Sequence, residues 1–336
     1  MGFHLADGTL YTYLQGDEYE DIAAAWDWNL IPGTTVDYGA TPLACATAEQ
    51  TGLEPFVGGA SNNKTGVAAM RYLNPITTAF GWQKAWFFLD DDIQYVMIAN
   101  ITSNTTAPIY SVLDQRRHSG TIYVNDDPFS TPRNQTFNGT VSCLWHGNVG
   151  YAFDDAETTV LSLSVGPRTG AWSAIGTSTQ PPETVDLFAA WIEHQDLTRP
   201  ISYTVFPGTT SDSFREKREG YLVIPLQNDA HISSILDATH WTIYAVFWDV
   251  SGGTLALHYE TPSGKSLASV SANGNVALLL DLWTGTLTVS DPSQTLASVD
   301  ILIQSVNGAP LTITVELPPG PGGLAGSSVT THISNL

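Results

Sequence analysis

The apolar residues of this chain come in short bursts, and that pattern most limits what it can fold into. Ala85–Leu89, Ile93–Ile98, Ser119–Val124, Thr158–Val165, Leu187–Ile192 and Ile201–Phe206 are rich in β-branched and aromatic residues, with Gly, Pro, Asn and Asp between them. No long stretch repeats its apolar residues at the helical period of about 3.6. The pattern predicts an all-β protein, with one short helix over 211–219, capped by Asp212 or Ser213 and ended by Gly220. Beyond it, Tyr221–Pro225, Trp241–Asp249, Leu255–Tyr259, Val276–Leu282, Thr286–Ser290, Val299–Ser305 and Leu311–Leu317 read as seven evenly spaced strands of a β-sandwich. The expected organisation is a large β-domain over 1–218, a smaller sandwich over 219–320, and a flexible tail over 321–336 that opens on a Pro/Gly-rich stretch.

The bulk numbers narrow the function. At 336 residues and 43% hydrophobic content, the chain has material for two substantial cores. Only 12 Lys+Arg stand against 33 Asp+Glu, for a net charge of −21. That balance argues against nucleic acid and against an anionic membrane, both of which call for basic patches. It also means that most of the surface would repel a polyanion. Two cysteines, Cys45 and Cys143, fit no metal or redox spacing; a single disulfide and two buried thiols are both open. Asn-x-Thr sequons at Asn63, Asn100, Asn104, Asn134 and Asn138 fit a secreted glycoprotein of eukaryotic type, although the first residues carry no secretory signal.

One block is too polar for plain core and too aromatic for an ordinary loop. A strand-like Thr9–Leu14 leads into Gly16-Asp17-Glu18-Tyr19, then Trp26-Asp27-Trp28, then Ile31-Pro32-Gly33-Thr34-Thr35. Followed in order by Gly58-Gly59-Ala60-Ser61, Lys84-Ala85-Trp86-Phe87-Phe88, Leu144-Trp145-His146 before Gly150-Tyr151, Trp191-Ile192-Glu193-His194 and Tyr203 to Gly208, this block resembles the family 8 polysaccharide lyases. The similarity spans roughly residues 5 to 250 and six motifs in order make it specific.

The resemblance implies a large, galactose-mutarotase-like β-supersandwich followed by a small antiparallel β-sandwich. The N-terminal helical toroid that precedes them in the family has no counterpart in these residues. It further implies β-elimination on a uronic-acid-containing polysaccharide, using Asn, His, Tyr and Arg of that toroid, none of which has a matching position here. On this reading the chain alone is inactive and needs the helical domain as partner. One supporting group carries over: Glu18, whose family counterpart reaches across the domain interface, with Asp21 as its neighbour. Trp26 and Trp28, placed on one face of a strand by alternation, would stack on sugar rings or join the core. Arg116 and Arg117 would contact a polyanion at the cleft edge, or balance Asp114, Asp126 and Asp127. His146 and His194 read as structural, and Asp90-Asp91-Asp92 as a charged turn. No cofactor is expected; calcium near Glu54, Asn62 and Asn63 has weak support, because that turn carries few acids. A non-catalytic carbohydrate-binding protein built on the same sandwiches is the competing reading.

Overall fold

The computed structural model describes residues 2–44, 47, 49–129, 135–155, 159–260, 262, 264, 266–319 and 324–334. Among them the strands form four antiparallel sheets stacked as layers. The first sheet holds, in spatial order, Thr35–Asp37, Ile109–Arg117, Glu183–Glu193, Val160–Gly170 and Gln135–Thr140. The second is larger, with Val57–Ser61, Gly66–Leu73, Phe80–Phe88, Gln94–Ser103, Ile201–Pro207, Val149–Phe153, Cys143–His146, Ile122–Val124 and Asp127–Phe129. The third contains Val223–Asn228, Ile232–Asp237, Thr242–Phe247, Ala277–Asp281, Thr286–Ser290 and Val329–His332, and the fourth Gly253–Glu260, Ser266–Ala272, Ser298–Ser305 and Leu311–Glu316.

Layering explains the apolar pattern. A strand of a middle layer has core on both faces, so its side chains are apolar without alternation. Phe80–Phe88 is buried along nearly its whole length. Phe80, Trp82 and Trp86 enter the core shared with the first sheet, while Ala85 and Phe87 enter the core shared with the third. Thr242–Phe247 behaves alike: Tyr244 and Val246 face the second sheet, and Ile243, Ala245 and Phe247 face the fourth. Gly253–Glu260 lies in an outer layer, and there buried and exposed positions alternate as one wet face requires.

Helix Ser211–Gly220 links the two halves and buries Phe214 in the middle core. Its cap is Thr210, whose side chain accepts from the Ser213 backbone N–H at 3.1 Å, and not Asp212 or Ser213 as expected. Gly150 opposite is obligatory: a Cβ there would lie 2.2 Å from the Phe214 ring.

Several expectations need correction. Thr9–Leu14 forms no strand; its only backbone partner is Pro32, and the amides of Thr12 and Leu14 bond side chains. Gly2–Ala6 before it forms a 3₁₀ turn. Among the described residues the second half has six plus four strands rather than seven, because short runs such as Ile232–Asp237 and Ser266–Ala272 carry serines that mask them. The expected flexible tail carries strand Val329–His332, paired with Thr286–Ser290, and buries Ile333. Cys143 is a buried free thiol, and Cys45 lies outside the described residues.

Candidate functional site

Residues 8–34 fold as a loop layer strung along strand Ile109–Arg117. Gly33 N–H donates to Val112 O at 3.0 Å and Arg117 N–H to Glu18 O at 2.9 Å, fastening the two ends. Between them Gln115, fully buried, takes the middle of the layer. Its Oε1 accepts from Asp27 N–H at 2.9 Å, and its Nε2 donates to Asp27 O and Leu30 O at 3.0 and 2.9 Å. Gly33 sits at φ +85°, where a Cβ would lie 2.2 Å from the Leu10 amide, so only glycine closes this turn.

Glu18 is held by its own loop. Its Oε1 accepts from the Leu14 and Gln15 amides at 2.8 Å each, and Oε2 from Gly16 at 2.9 Å. Partial burial raises its pKa, but these backbone N–H groups outweigh that and leave the carboxyl below its usual value. The carboxylate tip is thus fixed, charged and at the surface. Asp21 is exposed in a left-handed turn at φ 51°. Ile22 and Ala25 pin the layer beneath, against Val185 and Leu187.

An aromatic wall lies beside Glu18. Tyr13 meets Tyr19 edge-on at 4.9 Å, Tyr19 meets Tyr11 at 5.1 Å, Tyr11 stacks towards Trp26 at 6.3 Å, and Trp26 meets Trp28 edge-on at 5.7 Å. Trp26 and Trp28 do not share a strand face, contrary to expectation. They lie in a turn stretch and face each other, with Trp28 Nε1 donating to Ala23 O at 3.1 Å. Both are half-buried.

Arg116 is not at an accessible cleft edge. It is buried at 1% exposure, paired with Asp114 through Nε, and its Nη2 donates to the Tyr19 hydroxyl and to Thr12 O at 3.0 and 3.2 Å. Tyr19 in turn donates to Asp114 Oδ1 at 3.0 Å. Positions 114 and 116 fall on one face of a strand, which brings the pair together beneath Tyr19. Burial opposes the charge on Arg116, but Asp114 prevails and raises its pKa further. Arg117 is half-buried, its Nε donating to Glu20 O at 2.8 Å. Asp126, offered as a partner for these arginines, pairs instead with Arg218 at 2.8 Å.

Lys84 was not singled out, and it is the least expected residue of the region. It is completely buried, between the Trp82 and Trp86 rings at 5.9 and 5.5 Å. Nζ donates to Gly33 O at 2.6 Å and to Thr35 Oγ1 at 3.1 Å, holding the end of the loop layer from below. Thr35 continues through Ser111 Oγ at 2.9 Å to His194 Nε2 at 2.7 Å. The signal was a lone cation between two tryptophans in a strand that is otherwise uncharged and mostly apolar.

Proton exchange near neutral pH is not what these groups are tuned for. Burial with Tyr13 and Asp114 pushes Tyr11 up to about 12, and Tyr19 rises further. Burial pushes His146 and His194 down to about 3, so both are neutral; His146 stacks on Phe188 at 4.0 Å. Burial brings Lys84 down to about 7, but it is enclosed. Among the described residues no cluster of His, Cys, Asp and Glu is arranged to hold a metal ion. Glu54 lies 3.9 Å from Arg71, and the Asn62 side-chain oxygen Oδ1 accepts from the Lys64 and Thr65 amides at 3.0 and 2.8 Å. Asp90–Asp92 forms a turn, with Asp90 paired to Lys64 at 2.7 Å.

The super-sandwich domain of polysaccharide lyase family 8 matches residues 1–218, and the C-terminal β-sandwich domain of the same family matches residues 226–300. The chain belongs to polysaccharide lyase family 8. Chondroitinase-AC of Pedobacter heparinus is 30% identical over 281 residues, covering 82% of this chain and 39% of the relative. Hyaluronate lyase of Staphylococcus aureus is 23% identical over 240 residues, covering 69% of this chain and 29% of the relative. A chondroitinase AC lyase structure superposes on 98% of the chain and 47% of its own length, with TM-score 0.86 at 24% identity. A Paenibacillus xanthan lyase does so over 98% and 33%, with TM-score 0.82 at 18% identity. The family 8 chain described here thus spans less than half the length of these relatives. Its layered sheets are the family's super-sandwich and C-terminal sandwich, as the motifs implied.

Proposed function

We propose that this chain is the β-layered portion, divided near residue 218, of an enzyme that cleaves a uronic-acid-containing polysaccharide by β-elimination. A base removes the C5 proton, the electrons form a C4=C5 double bond, the C4–O bond breaks, and an acid protonates the leaving oxygen. The proton-moving groups and the cation that neutralises the uronate are assigned to a helical domain outside these residues, and the chain by itself is inactive. The observation that carries this is the state of the groups beside Glu18. Its carboxylate is fixed and charged, while Tyr11 and Tyr19 of the aromatic wall are pushed above their ordinary range and the buried His146 and His194 are pushed well below theirs. Such a carboxylate is suited to orient an imidazole or balance a guanidinium on a facing domain. Asp21, Trp26, Trp28 and Arg117 then line the approach, and Arg116 supports them from beneath.

Secretion and glycosylation belong to the same reading. Asn63, Asn100, Asn104 and Asn138 are all exposed, whereas Asn134 lies outside the described residues. Among the described residues no helix is long and apolar enough to cross a membrane.

The test is an unsaturated-uronide absorbance assay on hyaluronan, chondroitin, xanthan and glucuronan, run on this chain alone and on a protein that also carries the helical domain. Product only from the longer protein supports the proposal. Enzyme-like turnover by this chain alone overturns the division of labour, and no product from either protein on any polymer overturns the lyase reading. Binding without product would favour the carbohydrate-binding alternative.

A further inference from the structure

From Thr12 to Tyr19 the chain makes a loop with Glu18 at its closing end. Residues 13–17 are exposed, so packing does little to fix where the loop stands. The hydrogen bonds that carry it to the first sheet gather at its neck. Arg116 Nη2 donates to Thr12 O at 3.2 Å and to the Tyr19 hydroxyl at 3.0 Å, so one nitrogen spans both ends. The Tyr19 hydroxyl also accepts from the Thr12 amide at 3.4 Å and donates to Asp114 Oδ1 at 3.0 Å. Its one proton and both lone pairs are thereby used. Beside it, Arg117 N–H holds Glu18 O at 2.9 Å.

The anchor beneath is a buried ion pair. Asp114 and Arg116 are 2% and 1% exposed, and the guanidinium carbon lies 5.3 Å from the centre of the Tyr19 ring. Apolar residues of similar volume commonly serve a fold as well as such a pair, because taking two charges out of water is costly. What the apolar residues could not supply is a rigid fork that faces a carboxylate on one side and the loop neck on the other. We propose that Asp114, Arg116 and Tyr19 are positioning residues for Glu18: the pair fixes the neck, and the neck fixes where the carboxylate stands against a facing domain. This assignment rests on the reading that Glu18 orients or balances groups of a helical domain during elimination, and it names what sets the place of Glu18. The carboxylate ties the Leu14, Gln15 and Gly16 amides to itself, so the turn shifts as a unit once the neck is released. A shift of about 1 Å in a positioned group costs on the order of a hundredfold in rate.

The experiment is steady-state kinetics on the protein that also carries the helical domain, comparing Tyr19→Phe, Glu18→Gln and the two changes combined. Expected for Tyr19→Phe is a kcat lowered about ten- to hundredfold with KM held within about threefold. Added to Glu18→Gln, it should cost less than about twofold more, since both changes act through one carboxylate. A residue that merely supports the fold would lower kcat by the same factor with or without Glu18. The double variant Asp114→Leu/Arg116→Met removes the anchor without leaving either charge unpaired, and it should repeat both results. Urea unfolding shows that each variant is folded. On this chain alone, Tyr19→Phe should raise hydrogen exchange at the Arg117 amide about tenfold, as the neck opens. An unchanged kcat, a loss additive with Glu18→Gln, or a rise in KM with kcat held overturns the positioning role and leaves elimination in place. No product from the unaltered longer protein on any polymer removes the lyase reading instead. The Arg117 amide then decides the clamp by itself, and exchange unchanged by Tyr19→Phe overturns it.

Discussion

Replacing Lys84 by Met tests how the core is built beneath the loop layer. The Lys84 pKa falls from 10.5 to about 7 because the ammonium is completely buried. At about 1.4 kcal/mol per pH unit, that difference corresponds to a folding penalty of at most about 5 kcal/mol at neutral pH. Between pH 7 and the unfolded value, the unfolded chain binds this proton more tightly than the folded chain. Stability contributed at this site therefore rises with pH across that window, and below it both states are protonated and the penalty is constant. Met has a similar length and no charge, but it leaves Gly33 O and Thr35 Oγ1 without Nζ, at a cost of about 1–3 kcal/mol. The two proteins should therefore differ in slope. Between pH 7 and pH 8.5 the natural chain should gain about 2 kcal/mol on Lys84→Met. Urea unfolding at closely spaced pH values, followed by tryptophan fluorescence, reads this directly, and tyrosine titration common to both proteins cancels in the difference. Parallel stability curves would refute the idea that a buried, titrating ammonium sits between Trp82 and Trp86.

Tyr19→Phe removes the hydroxyl shared by Asp114 and Arg116 and should cost about 1–3 kcal/mol in urea unfolding, because two buried charged groups lose a partner; a change near zero would show the pair to be self-sufficient. Glu18→Gln should raise amide hydrogen exchange at Leu14, Gln15 and Gly16 about tenfold or more, with less than about 1 kcal/mol lost globally, since within this chain the carboxylate bonds amides of its own exposed loop. His146 and His194 bind protons in the unfolded chain near 6.5 but in the folded chain only near 3. Stability should accordingly fall as pH drops below about 6.5, by about 1.4 kcal/mol per pH unit for each, and His194→Gln should shallow that slope. Expressed through a eukaryotic secretory pathway, the chain should carry glycans at the exposed Asn63, Asn100, Asn104 and Asn138, read by the mass lost on glycosidase treatment.

Strand character was legible in the apolar runs Ala85–Leu89 and Trp241–Asp249, whereas the placing of Phe80–Phe88 and Thr242–Phe247 in middle layers with core on both faces came from how the sheets stack. Ile109–Arg117 was missed, since it ends in Asp-Gln-Arg-Arg and so reads as a surface segment. Yet those four polar residues are what anchor the loop layer: Gln115 bonds Asp27 and Leu30, Arg116 pairs with Asp114, and Arg117 reaches Glu20. Polar side chains are stable inside only when each finds partners, and the partners here lie about ninety residues away in sequence. The Glu18 motif could be recognised locally, but its use of three neighbouring amides to fix the carboxylate depends on the fold of the 14–18 turn.

Composition and the period of the apolar residues were thus enough to determine an all-β chain with two successive units, and ordered motifs determined its family. Tertiary structure alone decided which charges go inside, that Trp26 and Trp28 meet each other, and that the end of the chain closes the third sheet. The reason is one of range. Backbone preference and hydrophobic alternation act over a few residues, whereas satisfying a buried Lys84 or Arg116 requires oxygen atoms delivered by strands and loops distant in sequence.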